Sequence, residues 1–143
     1  SLMDWIAQYR DGVVVLSAAI NDYRLGEVST SVAGRRSTYR VEDKIPSGCD
    51  EVVIRLIPAD KVVDKLRGWG LTGPIVAFKF EARDTVIDSA RRLRRRVGAA
   101  LVVANSLDGE FNALVDDAVQ AVPDRPTLLT RLGQRVVELA KAG

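Results

Sequence analysis

A polar segment that could bind a ligand follows a short apolar run near the amino end of the sequence. The run is Val13 to Leu16, and residues 18–23 (AAINDY) come after it. A β-branched run without polar alternation predicts a central parallel strand that is covered on both faces. Open α/β sheets bind ligands beyond the carboxyl ends of such strands. The Asp22 carboxylate could therefore accept hydrogen bonds from a nucleotide's base or ribose, or simply cap a turn.

Two further polar groups are candidates for the same ligand. Asn105 follows the apolar run 100–104, which predicts another buried strand; its amide could contact a ligand or tie two loops together. Lys44 precedes the stiff turn at Pro46. Such a turn would present the ammonium at a fixed point, which suits a phosphate, although most surface lysines are inert.

The composition excludes several kinds of chemistry. The 143 residues include no histidine, which rules out Ser-His and Cys-His nucleophiles and imidazole proton transfer. Cys49 is the single cysteine, so no disulfide can form within the chain, and we interpret it as a packing thiol. No apolar run approaches the roughly 18 residues of a membrane span, and residues 1–10 do not resemble a signal peptide. We therefore expect a cytoplasmic protein that makes no membrane contact.

The segment 68–73 (GWGLTG) has the glycine spacing of a dinucleotide-binding fingerprint. The fingerprint requires a strand before it and a helix after it, because the amino end of that helix holds the pyrophosphate. Here the order is reversed: a predicted helix precedes the glycines and a predicted strand follows them. We therefore interpret the segment as a turn.

Five arginines lie between residues 91 and 96. They could bind phosphates or nucleic acid, or form the solvated face of an amphipathic helix. Aromatic residues are sparse and none is interleaved with the arginines, so base stacking beside them has little support and nucleic acid is not the expected partner.

Predicted strands and helices alternate along the chain, which favours an α/β fold. The expected architecture is one domain over residues 1–143, with an open, Rossmann-like, mostly parallel sheet, flanking helices and right-handed crossovers. A hairpin is expected near the carboxyl end, around Asp116-Asp117. Residues 25–50 are expected to form an excursion or flap, in which 25–43 contains at most a short strand. The chain opens on a helix, so the first strand–loop–helix unit of such a fold is missing. The strands are predicted at 13–16, 51–57, 75–78, 100–104, 111–115 and 118–122, and the main helices at 83–97 and 127–141.

Taken in order, five segments resemble those of the phosphopantothenoylcysteine synthetase family. They cover nearly the whole chain, and each is a weak motif by itself. They are residues 18–23 (AAINDY), 44–47 (KIPS), Leu56 to Val62, 77–81 (AFKFE) and 103–105 (VAN).

The resemblance implies a role in coenzyme A biosynthesis. Members of the family are phosphopantothenate–cysteine ligases that activate 4′-phosphopantothenate with CTP or ATP and Mg²⁺. The cysteine amine then displaces the nucleotide. Known members are dimers in which the lysine loop lies near the subunit contact, so a homodimer is implied.

The resemblance also assigns roles to individual residues. Asp22 and the backbone of Ala18 and Ala19 would hold the nucleotide, and Phe78 would pack by its base. Lys44, the candidate catalytic residue together with Asn105, would meet the phosphates as negative charge develops. The segment that contacts the nucleotide would comprise Ala59, Asp60, Lys61 and Val62.

Three departures from the family pattern qualify these assignments. The excursion over residues 25–43 is longer than in the bacterial fused enzymes. Basic positions of the bacterial enzymes fall here on Leu93 and Val97, which the helical pattern predicts as core. Arg92 and Arg96, one residue earlier, are the candidates to replace them. The family's Gly-Gly-Thr phosphate loop and its Asn-bearing loop are also absent from this sequence. We therefore expect a nucleotide-binding part of the ligase that has little activity unaided. The alternatives are a non-catalytic nucleotide-binding or assembly module and a basic-helix nucleic-acid binder.

Overall fold

A computed structural model describes residues 1–17, 22–40 and 42–143. The chain divides into two compact units, one formed by Ser1–Ala18 with Val62–Gly143 and the other by Ala19–Lys61. The elements in chain order are α1 (Leu2–Gln8), β1 (Val14–Leu16), β2 (Tyr23–Val32), β3 (Arg35–Tyr39), β4 (Glu51–Pro58), α2 (Val62–Lys65), β5 (Ile75–Glu81), α3 (Val86–Val97), β6 (Leu101–Ser106), β7 (Asn112–Val115), β8 (Val119–Val122) and α4 (Arg125–Lys141).

The larger unit contains a five-stranded sheet in the order β1-β5-β6-β7-β8. The first three strands are parallel, and β7 and β8 add to them as an antiparallel hairpin. The turn of the hairpin begins at Asp116, whose carboxylate accepts from Ala118 N at 2.9 Å. The open α/β sheet with a carboxy-terminal hairpin is therefore confirmed.

The prediction that Val13 to Leu16 forms a central strand is wrong. In the part of the chain that the structure describes, β1 lies at the edge of the sheet and pairs with β5 alone. Val15 is accordingly 41% exposed. A short apolar run indicates a strand that is suited to burial. Whether another strand pairs with it on each side depends on the rest of the fold.

Both faces of the five-stranded sheet carry apolar cores, as the continuous apolar strands predict. Side chains alternate along each strand, so neighbouring residues enter different cores. Ile75 and Ala77 of β5 pack with Leu66, Val86 and Ala90 in the first core. The second core comprises Val76, Leu101, Val103 and Leu114 of the strands, with Val122, Leu128 and Leu132.

The helix ends follow local sequence signals. Gly98 ends α3 in the left-handed conformation, at φ 63°, as expected for a C-cap glycine. Asp124 begins α4 by accepting from Thr127 N at 2.7 Å. The glycines of segment 68–73 lie between α2 and β5, so the interpretation of that segment as a turn is confirmed.

The smaller unit is an antiparallel sheet in the order β3-β2-β4. The prediction of at most a short strand in residues 25–43 is therefore wrong, because β2 alone has 10 residues. The serine, threonine and arginine residues obscured the alternation of apolar side chains there. β2 is stabilised by pairing with β4, and residues 33–50 separate the two strands in the sequence. A two-residue turn joins β2 to β3, with positive φ at both Ala33 and Gly34.

Candidate functional site

Asp22 and Lys61 form an ion pair in the smaller unit. The carboxylate of Asp22 lies 3.2 Å from Lys61 Nζ, and both side chains remain substantially exposed. The two chain segments are also joined by the backbone, because Ala59 N donates to Asp22 O at 2.8 Å. β2 begins at Tyr23 and β4 ends at Pro58, and these two residues are paired with each other. The structure thus brings together the predicted nucleotide-binding residues Asp22, Ala59 and Lys61.

Lys44 is exposed in a segment held by two small turns. In the first turn, Arg40 N donates to the Asp43 carboxylate at 2.8 Å. In the second, the Cys49 thiol donates to Pro46 O at 3.2 Å. This arrangement supports the interpretation of Cys49 as a structural thiol and places the Lys44 ammonium on a braced loop.

In the larger unit, charged side chains gather at the carboxyl end of β5. Lys79 Nζ lies 3.3 Å from the Glu81 carboxylate. The hydroxyl of Ser89 donates to Glu81, which, with the bond from Lys79, keeps the pKa of that carboxyl below its ordinary value although partial burial opposes the shift. Arg92 Nη2 donates to Ser89 Oγ at 2.8 Å. Arg92 therefore belongs to a polar chain that runs from α3 to the end of β5.

Phe78 of β5 and Asn105 of β6 also lie near the carboxyl ends of their strands. They are on the face of the sheet opposite to Lys79 and Glu81. Phe78 is half-buried against the second core. Asn105 Nδ2 donates to Asn112 Oδ1 at 2.8 Å and so links β6 to β7. The proposal that Asn105 ties chain segments together is thereby supported, while its contact with a ligand stays a prediction.

Most of the arginines on α3 have acidic partners. Arg94 and Arg96 each lie 3.0 Å from a carboxylate, of Asp117 and Asp64 respectively. Arg91 lies 3.8 Å from Asp88. These pairs neutralise much of the basic run and favour its interpretation as a solvated helix face. Leu93 and Val97 pack in the first core, as predicted.

The remaining predicted positions are dispersed. Ala18 and Ala19 lie outside the described residues. Asp60 is exposed two residues before α2, and Val62, the first residue of α2, packs against the first core. Asn105 and Phe78 belong to the larger unit, whereas Asp22 and Lys44 belong to the smaller one. That these side chains converge on one crevice stays a prediction.

Sequence reasoning missed Phe80, Asn112 and Glu81 as candidate residues. Phe80 is 63% exposed at the end of β5, and Asn112 is buried beside Asn105. The available signal was the alternation after Phe78, which predicts that Phe80 shares its face and Glu81 does not. Burial at the end of a strand depends on the covering helices, so the sequence could not separate the two phenylalanines.

Neither a metal cluster nor a membrane span is found among the residues described here. No group of three acidic or cysteine side chains could hold a metal ion in residues 1–17, 22–40 and 42–143. Over the same ranges, no helix has the length and apolar character needed to cross a bilayer.

Comparisons with known proteins find the same fold in solved structures. No model of a known protein family matches the sequence. The structure is similar to that of the DNA/pantothenate metabolism flavoprotein from Streptococcus pneumoniae, with a TM-score of 0.72 and 18% identity, over 96% of this chain and 68% of that one. A crystal structure of the C-terminal domain of a coenzyme A biosynthesis bifunctional protein CoaBC gives a TM-score of 0.59 and 17% identity, over 96% of this chain and 61% of that one. The chain thus shares its α/β fold with these two proteins.

A comparison of sequences finds a relative with a higher identity than these two structures have. The chain is 31% identical over 132 residues to the coenzyme A biosynthesis bifunctional protein CoaBC of Thermococcus kodakarensis. The match covers 90% of this chain but 29% of that relative. The resemblance to the phosphopantothenoylcysteine synthetase family is therefore confirmed, and the chain is a relative of one part of a CoaBC protein.

Proposed function

We propose that this chain is the nucleotide-binding part of a cytoplasmic phosphopantothenate–cysteine ligase in coenzyme A biosynthesis. The reaction would activate 4′-phosphopantothenate with CTP or ATP and then condense it with cysteine. The observation that carries the proposal is the match to CoaBC over most of this chain. The pairing of Asp22 with the segment 59–61 supports it, because those residues are the predicted nucleotide contacts.

The residues of this chain would contribute positioning and charge. Asp22 would accept hydrogen bonds from the base or ribose, and Lys44 would offset negative charge that develops on the phosphates. Mg²⁺ would be held mainly by the phosphate oxygens and water, as is usual for this ion in nucleotide sites. Arg92 and Arg96 are already engaged with Ser89 and Asp64. Each of these bonds uses one N–H of a guanidinium that has five, so either arginine has donors left for a phosphate.

Replacing Asp22 by alanine is expected to weaken nucleotide binding. Loss of a hydrogen bond to a charged group costs about 1.5–3 kcal/mol, which corresponds to roughly 10- to 150-fold in the dissociation constant. Titration calorimetry with CTP and ATP would measure the change and show which base the wild-type chain prefers. Lys61→Met should be titrated in parallel, because Asp22→Ala also releases the Lys61 ammonium from its partner.

Asp117→Ala is the matched control for the loss of one carboxylate. Asp117 is 97% exposed and pairs with Arg94 on the larger unit, and its replacement should leave the affinity unchanged. If Asp22→Ala binds nucleotide with the same dissociation constant as the wild-type chain, the assembly-module alternative would be favoured. Absence of any binding of CTP and ATP to the wild-type chain would contradict the proposed function.

We further propose that the ligase acts as a homodimer joined through the smaller unit. β4 is an edge strand of its sheet within the described residues. Val52, Ile54 and Leu56 alternate along one face of β4 and are each about half exposed. An exposed apolar edge strand is a template for pairing with another chain, and pairing with a second copy would bury both the edge and these side chains.

Ile54→Lys is expected to convert the dimer to a monomer. The substitution places two ammonium groups in one symmetric interface, so we expect the dimer dissociation constant to rise by at least about 100-fold. Size-exclusion chromatography with light scattering at several concentrations would measure it. Leu129→Lys, at a similarly exposed position on α4, is the control. It should leave the dimer intact, with the mass of a dimer in solution. A wild-type chain that is monomeric at high concentration would refute the dimer.

A further inference from the structure

Three arginines of α3 are held through different nitrogens of their guanidinium groups. Arg92 and Arg94 each donate through a terminal nitrogen, Nη2 and Nη1 respectively. Arg96 donates through Nε to the carboxylate of Asp64, at 3.0 Å. The bond to Asp64 therefore differs from the other two, because it leaves both terminal nitrogens of its arginine available to a ligand.

The bond through Nε also orients those terminal nitrogens. A guanidinium is planar and rigid, so holding Nε in one direction sets the direction of the whole group. The terminal nitrogens of Arg96 carry four N–H donors, and a pair of these matches two oxygens of a phosphate. Arg96 is thus oriented to meet a phosphate with two parallel hydrogen bonds.

The carboxylate that holds Arg96 is carried by a different helix, which is itself anchored. Asp64 lies in α2, 32 residues before Arg96 in the sequence. Val62 and Val63 of α2 pack against the first core, and Val97, the residue after Arg96, is part of it. The two side chains of the pair are each about half exposed, but both start from backbone that the core holds in place.

Asp64 has two opposing effects on a phosphate that binds Arg96. Its hydrogen bond reduces the conformational entropy that the arginine side chain loses when a ligand orders it. Its negative charge repels the same phosphate. Asparagine would keep an acceptor oxygen without the charge, whereas alanine would remove both. A comparison of asparagine with alanine at residue 64 therefore separates orientation from charge.

We propose that Asp64 is a positioning residue, which orients Arg96 to bind a phosphate group of the nucleotide. The proposal rests on the proposed function, because it takes Arg96 as a contact of the nucleotide's phosphates. Asp64 acts through Arg96 and makes no contact with the ligand. Both residues belong to the larger unit, so the proposal requires no particular placement of the smaller one.

The test compares Asp64→Asn with Asp64→Ala in titrations of CTP and ATP. Ordering one long side chain changes an affinity by about 2- to 12-fold, so Asp64→Ala should bind the preferred nucleotide more weakly than Asp64→Asn by that factor. Asp64→Asn should bind at least as tightly as the wild-type chain, because a repelling charge is gone. When Arg96 is also replaced by alanine, the two Asp64 variants should bind alike.

Asp117→Asn and Asp117→Ala are the matched controls. Asp117 pairs with Arg94 on the same helix, at the same distance of 3.0 Å. These two variants should bind nucleotide with equal affinity. Circular dichroism should show that all the variants remain folded.

Four outcomes would contradict the positioning role of Asp64. Equal affinity of Asp64→Asn and Asp64→Ala, or tighter binding by Asp64→Ala, would overturn it while the proposed function stands. A difference between these variants that persists when Arg96 is alanine would show that Asp64 does not act through Arg96. Unchanged affinity in Arg96→Ala alone would remove the contact that the role requires. A wild-type chain that binds neither CTP nor ATP would overturn both the positioning role and the proposed function.

Discussion

Gly73→Ala is expected to destabilise the chain by about 3 kcal/mol or more, in the range of severe overpacking. A Cβ at residue 73 would lie 2.1 Å from the carbonyl oxygen of Gly12 and 2.4 Å from that of Asp11. Both neighbours are backbone atoms, so no side-chain rotation can relieve the overlap. Gly73 N also donates to Arg10 O at 2.9 Å, which holds the two segments together. Relief would therefore require breaking contacts between the loop before β1 and the loop before β5.

Urea unfolding monitored by circular dichroism would measure the loss for Gly73→Ala. Gly133→Ala is the matched control, because Gly133 lies within α4 and a Cβ there meets nothing within 4 Å. Alanine is the better helix former, so this control should stabilise the chain by up to about 1 kcal/mol. An unfolding midpoint for Gly73→Ala at or above that of the wild-type chain would contradict the close packing of the two loops.

Arg67→Ala is expected to cost about 2–4 kcal/mol through the loss of three hydrogen bonds. The guanidinium donates to Leu71 O at 2.9 Å, to Gly73 O at 2.7 Å and to Gly98 O at 3.2 Å. It thereby ties the turn before β5 to the carboxyl end of α3. Alanine would leave these carbonyls without their charged donor. The planar guanidinium reaches several acceptors at once, so Arg67→Lys should recover less than half of the loss.

The same unfolding measurement applies to Arg67, with Arg95→Ala as the control. Arg95 is exposed on α3, and its replacement should change the free energy of unfolding by less than about 0.5 kcal/mol. The double variant of Arg67 and Gly73 should lose less than the two single losses combined, because both changes loosen the same turn. A loss in Arg67→Ala no larger than that of the control would show that the three bonds contribute little.

Both substitutions bear on the candidate site through β5. The turn that Arg67 and Gly73 hold leads directly into the strand whose carboxyl end carries Phe78 and Phe80. Partial loosening of this turn would shift that strand end relative to Asn105 on β6. A folded but weakened variant should therefore bind nucleotide less tightly at temperatures near its unfolding midpoint.

The sequence predicted the larger unit well because its signals are local. Continuous apolar runs indicated β5 and β6, Gly98 indicated the end of α3, and Asp116-Asp117 indicated the turn of the hairpin. Each depends on residues within one element or its immediate neighbours. The same is true of the core position of Leu93, which follows from helical spacing alone.

The prediction failed where partners distant in sequence determine the structure. β2 depends on its pairing with β4, and the edge position of β1 depends on which strands lie beside it. Ser29 and Thr30 are buried in β2 despite their polar side chains. Cross-strand neighbours, more than intrinsic preference, stabilise such strands, so composition indicated an excursion where a sheet forms.

By itself the sequence determined the alternation of strands and helices, the positions of the polar segments at strand ends and the absence of histidine chemistry. These follow from the periodicity of apolar side chains and from residue type. Both are properties of a short stretch of sequence. The tertiary structure alone decided that Asp22 pairs with Lys61, that Asn105 is linked to Asn112 and that Phe80 rather than Phe78 is exposed. Those outcomes depend on which side chains and helices meet across the fold, and no local pattern specifies that.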